Sequence, residues 1–260
     1  LGGGADVAIA SIDTESIGAY DAYLRALSDI ATNSYASLAS AEQELKQALA
    51  LDPDFSDAKI NLAFVYMRQA NTGMLPIEES WRRAGALLDE VIAGNPDNYE
   101  AQAIALVNDI EYQVQTGNSM AELEAIPQLR AILSRSPANQ PARVQLARTL
   151  AIFKQPDEAE EHFRILLETD ALNPQIHWLR GVALMNAGRA DDALAAFTRS
   201  AEIEPNNPNA WARIGEVRRM QGDAVGYVMN YQRAIDKDPR DSELASVLAN
   251  YLLLFGLIEE

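Results

Sequence analysis

Apolar residues recur every three or four positions along almost the whole chain. Leu45, Ala48 and Leu49 form one such stripe, and Ala193, Phe197 and Ala201 form another. That spacing places apolar side chains on one face of an α-helix. No stretch alternates cleanly enough to predict a strand, apart from Val7-Ala8-Ile9-Ala10 near the start. The stripes are interrupted at regular points. Pro137, Ala171, Pro205 and Pro239 stand 34 residues apart. Proline cannot continue a helix, so these positions punctuate a repeated helical unit. Earlier punctuation at Pro53 and Pro96 gives longer steps, 43 (96−53) and 41 (137−96). The first surplus is expected in a turn-rich insertion, Asn71–Pro76, where Gly73 and Pro76 break a helix. The second is expected in a lengthened helix over Gln102–Gln115. That helix should end at Gly117-Asn118-Ser119, with glycine past its end and Ser119 as N-cap of the next. The first unit pairs a helix near Ser16–Ile30 with one near Leu38–Leu51. Thirteen helices follow, as six pairs and one left over, an all-α chain.

The residues between the interruptions repeat as well. Before Pro239 come Trp211, Ile214, Gly215, Arg218, Tyr227, Tyr231 and Ala234. Before Pro205 come His177, Arg180, Gly181, Leu184, Gly188, Ala193 and Phe197. Before Ala171 come Arg143, Leu146, Ala147, Leu150, Ala159, Phe163 and Leu166. This combination resembles the tetratricopeptide repeat, W-x2-L-G-x2-Y then A-x3-F then P. The resemblance implies a right-handed superhelical solenoid of helix pairs. It also implies close helix crossings at Gly181, Gly215, Ala159 and Ala193, packed by Phe163, Phe197 and Tyr231. Tyr227 departs from the pattern by replacing the small crossing residue.

A second resemblance lies near the start. Ala19-Tyr20-Asp21-Ala22-Tyr23-Leu24-Arg25 is followed by Ala48-Leu49-Ala50-Leu51-Asp52-Pro53-Asp54-Phe55, then Ala58 and Leu62-Ala63. Over residues 15–84 this is similar to the repeat region of bacterial multidomain regulators of adenylate-cyclase or winged-helix type. It implies that residues 1–14 are a linker or the trailing edge of an upstream domain. The solenoid then occupies residues 15–260: irregular repeats over 15–137, regular ones over 138–239, and a truncated repeat over 240–260. The last helix, Ser242–Phe255, is apolar where a capping helix would be polar, so truncation of a longer parent is expected.

Composition narrows the function. The net charge is −17, with no basic stripe, which argues against nucleic acid as a partner. Acidic residues are spread along the chain, the pattern of a soluble surface rather than of a basic-partner site. No segment has the roughly 20 apolar residues of a membrane span, and the start lacks the basic region of a signal peptide. Bacterial cytoplasm and a periplasmic portion of a larger protein remain equally open. With no cysteine and two histidines, no nucleophilic or metal constellation is visible. His162 follows Glu158 by four residues, but no second pair completes a metal site. No cofactor is expected and the chain reads as non-catalytic.

What remains is binding of another protein or peptide. Repeat register directs certain first-helix side chains to the concave face. These are Ile60, Phe64 and Met67; Val107 and Ile110; Val144, Arg148 and Ile152; Trp178, Val182, Met185 and Asn186; Ala212, Glu216, Arg219 and Met220; Asn250 and Leu253. The proposed groove is Phe64, Met67, Val107, Val144, Arg148, Trp178, Val182, Met185, Asn186, Glu216 and Arg219, with a largely apolar peptide along Phe64–Trp178–Met185. Aromatic residues, Met and Arg are the types enriched at interface cores. Val144/Arg148 and Trp178/Val182 replace the Lys and Asn with which one tetratricopeptide family grips a C-terminal carboxylate, so an acidic tail is not the expected ligand. The alternative is a homodimer through Leu253 and Phe255.

Overall fold

The computed structural model describes residues 13–32, 34–239 and 242–254. Among them are fourteen helical segments and no strand. Val7–Ala10 and Phe255 lie outside the described residues. The segments fall into two compact units that divide between Ala142 and Arg143.

The first unit holds α1 (Ile17–Thr32), α2 (Tyr35–Leu51), α3 (Ser56–Asn71), α4 (Ile77–Gly94), α5 (Tyr99–Gln115), α6 (Ala121–Glu124) and α7 (Ile126–Arg135). The single turn of α6 abuts α7 at Ala125, so the two act as one second helix. α8 (Gln140–Ile152) crosses the boundary. The second unit continues with α9 (Pro156–Thr169), α10 (Pro174–Asn186), α11 (Ala190–Ile203), α12 (Pro208–Met220), α13 (Ala224–Lys237) and α14 (Ser242–Leu254). Six pairs and one further helix result. Successive pairs are joined by four residues, as at 52–55, 95–98, 136–139, 170–173 and 204–207.

Each four-residue joint is a β-turn with the punctuating residue at its second position. The fourth residue's N–H donates to the first residue's carbonyl, at 3.0 Å for Asn98 to Asn95 and 3.1 Å for Asn207 to Glu204. Proline suits that second position because its fixed φ matches the turn. The fourth residue then caps the next helix. Asn98 Oδ1 accepts from Ala101 N–H at 2.9 Å, Asn139 from Ala142 at 2.9 Å, Asn173 from Gln175 at 3.1 Å and Asn207 from Asn209 at 3.0 Å. In the first joint this residue is Phe55, which caps nothing and instead fills the core, wholly buried.

Of the two long early repeats, the second has its surplus mainly in the lengthened helix α5, 17 residues ending at Gln115, as expected, whereas the first differs in where the surplus sits. The Asn71–Pro76 region exceeds a regular inner turn by only two residues: 72–76 against 187–189. The rest lies in α3 and α4, of 16 and 18 residues, against 13 and 14 in α10 and α11. Ser119 is not an N-cap. Asn118 is the residue that accepts from the Met120 N–H, at 3.1 Å.

Within pairs, one turn geometry recurs five times. Gly73, Gly117, Lys154, Gly188 and Gly222 all have positive φ. In each case the next residue's N–H reaches back into the helix, as Arg189 does to the Leu184 carbonyl at 2.9 Å. This is the Schellman ending, in which a Cβ is a steric liability. Lys154, at φ 58, is the one non-glycine. A non-glycine in this region costs about 1–2 kcal/mol. Part of that is offset by the unfolded-state freedom glycine adds. Lys154→Gly should therefore raise stability by about 0.5–1 kcal/mol, read as a higher denaturation midpoint at unchanged m. An equal or lower midpoint would count against strain at this turn.

The core of the first unit runs through Ala19, Leu45, Phe55, Leu62, Val65, Leu88 and Ile104. In the second unit, one cluster gathers Leu184, Phe197, Ile214 and Val217, and another gathers Tyr227, Tyr231, Leu244 and Leu248. The predicted crossings are tight. A Cβ on Gly181 would stand 2.7 Å from the Phe197 ring, and one on Gly215 would stand 2.8 Å from Tyr231.

Candidate functional site

The predicted groove residues sit in two settings. In the first unit Phe64 and Val107 are half-buried, and the Arg68 guanidinium lies 4.9 Å over the Phe64 ring. Met67 is 7 % exposed and belongs to the core, so it is not a groove residue. Ile60, at 4 %, and Ile110, at 1 %, are core for the same reason: α3 and α5 are long helices enclosed by neighbours on two sides. Ala212 is likewise buried.

In the second unit the first helices α8, α10 and α12 carry a more accessible set. Val144, Arg148, Trp178, Val182, Met185 and Glu216 are half-buried, whereas Ile152, Asn186, Arg219 and Met220 are exposed. Trp178, Val182 and Met185 pack against the core cluster of Leu184 and Phe197 while keeping an open edge. The Arg213 guanidinium of α12 lies 5.8 Å over the Trp178 ring of α10, a cation–π contact between consecutive first helices. Trp178 Nε1 is buried without an acceptor, so the indole's polar edge faces inward. Three predicted residues have polar partners, Arg148 among them, whose Nη2 donates to Gln145 Oε1 at 3.0 Å. Glu216 accepts the Tyr231 hydroxyl at 2.6 Å and pairs with Arg219 at 3.0 Å. Burial, and then the Glu216 contact, push the Tyr231 phenol well above its ordinary range.

His177 is a packing residue. Its Nε2 lies 3.0 Å from the Ala171 carbonyl. One repeat later, Trp211 Nε1 donates to the Pro205 carbonyl at 3.0 Å, and in the first unit Gln102 Nε2 donates to Pro96 at 2.7 Å. A side-chain N–H six residues on thus satisfies the carbonyl at each of these turns. His162 Nδ1 lies 3.1 Å from Arg143 Nη1, which makes this nitrogen an acceptor. Among the described residues no group of three or more His, Cys, Asp or Glu could hold a metal ion, and no helix is long and apolar enough to cross a membrane.

A cluster that sequence reading missed lies on first helices of the first unit. Tyr20 and Tyr23 stack at 6.2 Å, Tyr23 meets the Asn61 amide at 3.4 Å, and the carboxylates of Asp57 and Glu100 lie close by. Burial, and then Asp13, raise Asp57; loss of hydration, and then Asp57, raise Glu100. The Tyr23 phenol is pushed up to about 12, by burial first and then by Asp57 and Glu100. A phenol raised in the folded state stabilises fully below its unfolded range, near pH 10. It loses that contribution as pH rises towards 12. Tyr23→Phe should abolish this component, on the order of 1 kcal/mol after discounting for its open edge. Urea titrations of both proteins between pH 9 and 12 should diverge; parallel curves would refute the coupling. The convergence was invisible in sequence because Tyr23, Asp57 and Glu100 are more than 30 residues apart, and only stacking aligns them.

Residues 144–208 and 179–225 match the family model of the tetratricopeptide repeat. Among curated proteins, the wheat (Triticum aestivum) Hsp70-Hsp90 organizing protein is 28 % identical over 94 residues, 36 % of this chain and 16 % of the relative. The Dictyostelium discoideum DnaJ homolog subfamily C member 7 homolog is 23 % identical over 82 % of this chain and 40 % of its own length. The chain therefore spans well under half of either relative. Among solved structures, PilW, a type IV pilus biogenesis factor, superposes with TM-score 0.60 at 17 % identity, covering 90 % of this chain and 99 % of that one. Such a likeness shows the fold alone. Residues 144–225 are thus similar to the tetratricopeptide repeat, and the described helix pairs share the fold of such solenoids.

Proposed function

We propose that this chain is a non-catalytic interaction scaffold that holds a polypeptide on the first-helix face of its repeats. The observation that carries the reading is the strip Trp178, Val182 and Met185, with Arg213 over the indole. A bulky aromatic, an adaptable thioether and an arginine share one partly open face and are anchored from behind by core. Arg148 and Val144 extend the strip on α8. The family match over residues 144–225 supports the same class of function. The similarity of residues 15–84 to bacterial regulators supports a place within a larger regulatory protein.

The test is selection of peptides from a displayed library against the intact chain, followed by titration of the enriched peptides. Trp178→Ala with Arg148→Ala should weaken binding at least thirtyfold, a loss of ~2 kcal/mol, with unchanged helicity. Equal binding by the double variant would place the site elsewhere.

A second reading rests on α14, where Leu254 is 83 % exposed and Leu253 is 37 % exposed. Self-association there would appear as a concentration-dependent mass that Leu253→Asp abolishes.

A further inference from the structure

In an acidic chain, an arginine without a carboxylate is informative. The sequence holds 38 acidic and 21 basic side chains. In the second unit Arg164, Arg180, Arg189, Arg199, Arg218 and Arg219 each lie within ion-pair distance of a carboxylate. Arg213, half-buried on α12, lies in no such pair among the described residues. Its natural partner on the same helix is Glu216, three residues on. That carboxylate is already engaged by the Tyr231 hydroxyl and by Arg219. Arg213 reaches across to α10 instead and lies over the Trp178 ring. A guanidinium stacked on a ring uses its flat face, so the N–H groups along its edge keep the fork that fits a carboxylate. Arg233 also lies over an indole, that of Trp211, but it stands exposed on the second helix α13. Arg213 stands on the first-helix face, beside the apolar strip.

The strip also sets a spacing. Trp178, Val182 and Met185 are the fifth, ninth and twelfth residues of α10. At ~1.5 Å per residue, Val182 and Met185 stand about 6 and 10 Å beyond the indole along the helix. In an extended chain, side chains on one face recur about every 6.6 Å.

We propose that the partner polypeptide presents, in extended form, an aspartate or glutamate two residues from an apolar side chain. The carboxylate accepts the fork of Arg213 at the edge of the Trp178 ring, and the apolar side chain lies on Val182 and Met185. This rests on the strip being the polypeptide site and names what that site selects. The acid belongs to an internal side chain, since the Lys and Asn that grip a C-terminal carboxylate are replaced here. The net charge of −17 repels acidic segments at long range, but salt screens that repulsion beyond about 10 Å, whereas the fork acts at contact.

The probe is a library of short random peptides, displayed between linkers that leave no free end and selected against the whole 260-residue chain. Enriched sequences should carry Asp or Glu two positions from Leu, Ile, Met or Phe. One enriched peptide is then made end-capped and fluorescein-labelled, with its acid or with the matching amide, and titrated by anisotropy. Acid to amide should weaken binding to the native chain at least tenfold. With Arg213→Gln the same change should matter less than twofold, because the charge partner is gone. Arg213→Lys, which keeps the charge and loses the fork, should fall between the two. Arg148→Gln should keep the tenfold ratio. Circular dichroism checks that each variant retains its helicity. Enriched peptides that lack the acid yet are lost with Trp178→Ala would overturn this inference and leave the strip standing. A tenfold ratio that survives Arg213→Gln and vanishes with Arg148→Gln would move the carboxylate to α8 and overturn it as well. No enrichment, or peptides indifferent to Trp178→Ala, would sink both readings.

Discussion

Replacing Phe197 by alanine should cost about 3–5 kcal/mol, one of the two largest single-site losses expected in this chain. The ring is wholly buried, and it occupies the place where α10 and α11 cross. The crossing is close enough that Gly181 has no room for a methyl group, since an added Cβ would stand 2.7 Å from two ring carbons. Gly181→Ala alone should therefore cost about 1–3 kcal/mol by overpacking. Alanine also has better helix propensity than glycine by about 1 kcal/mol. Remove the ring, and the steric penalty disappears while the propensity gain remains. In the Phe197→Ala background, Gly181→Ala should thus be neutral or stabilising. The cycle predicts a coupling of about 1–3 kcal/mol between two residues in contact. Chemical denaturation of the four proteins measures it. Additive losses would show that the ring and the glycine do not share one volume.

That pair was legible in the sequence because it obeys a fixed spacing. The 34-residue step placed the small residues and the rings before any contact was seen, and the structure puts Gly181 against Phe197 and Gly215 against Tyr231. The turns were half-legible. Glycine stands at four of the five Schellman endings, of which Gly117 is read from the sequence as the residue past a helix end, but nothing in the side chain of Lys154 announces a positive φ. The Asn caps have a signal of their own, two residues after four of the punctuating positions: Asn98, Asn139, Asn173 and Asn207. The groove was least legible. Register read from the regular repeats transfers badly to α3, whose three extra residues come with neighbours that enclose Met67. In α12 Ala212 is buried and Glu216 is engaged by Tyr231 and Arg219, contacts that no periodicity reports.

Tyr227 is where the chain breaks its own rule, and restoring the rule should do harm. Ala159 and Ala193 hold the equivalent position in α9 and α11. Tyr227 is only 2 % exposed, yet α12 and α13 still meet closely, because Gly215 faces the Tyr227 backbone and the Tyr231 ring rather than the Tyr227 side chain. The phenol ring is turned the other way. Its centroid lies 4.1 Å from Tyr251 of α14 and 4.6 Å from Tyr231, within a cluster that includes Leu244 and Leu248. Burial, and then the charge of Glu216, raise its phenol pKa, as expected of a ring held in apolar surroundings. The tyrosine therefore ties α14 to the last pair. Tyr227→Ala should cost about 3–5 kcal/mol in the stability of this end of the chain, by the scale for truncating a buried aromatic. The loss should be local. Amides of 242–254 should lose hydrogen-exchange protection by two orders of magnitude or more, because ~3 kcal/mol of opening free energy corresponds to a factor above a hundred. Amides of α10 and α11 should keep theirs. Tyr227→Phe, which retains the ring and drops the hydroxyl, should leave both regions nearly unchanged. If alanine at 227 left α14 as protected as before, the anchoring would have to come from Leu244 and Leu248 alone, and the departure from the repeat pattern would have no packing consequence.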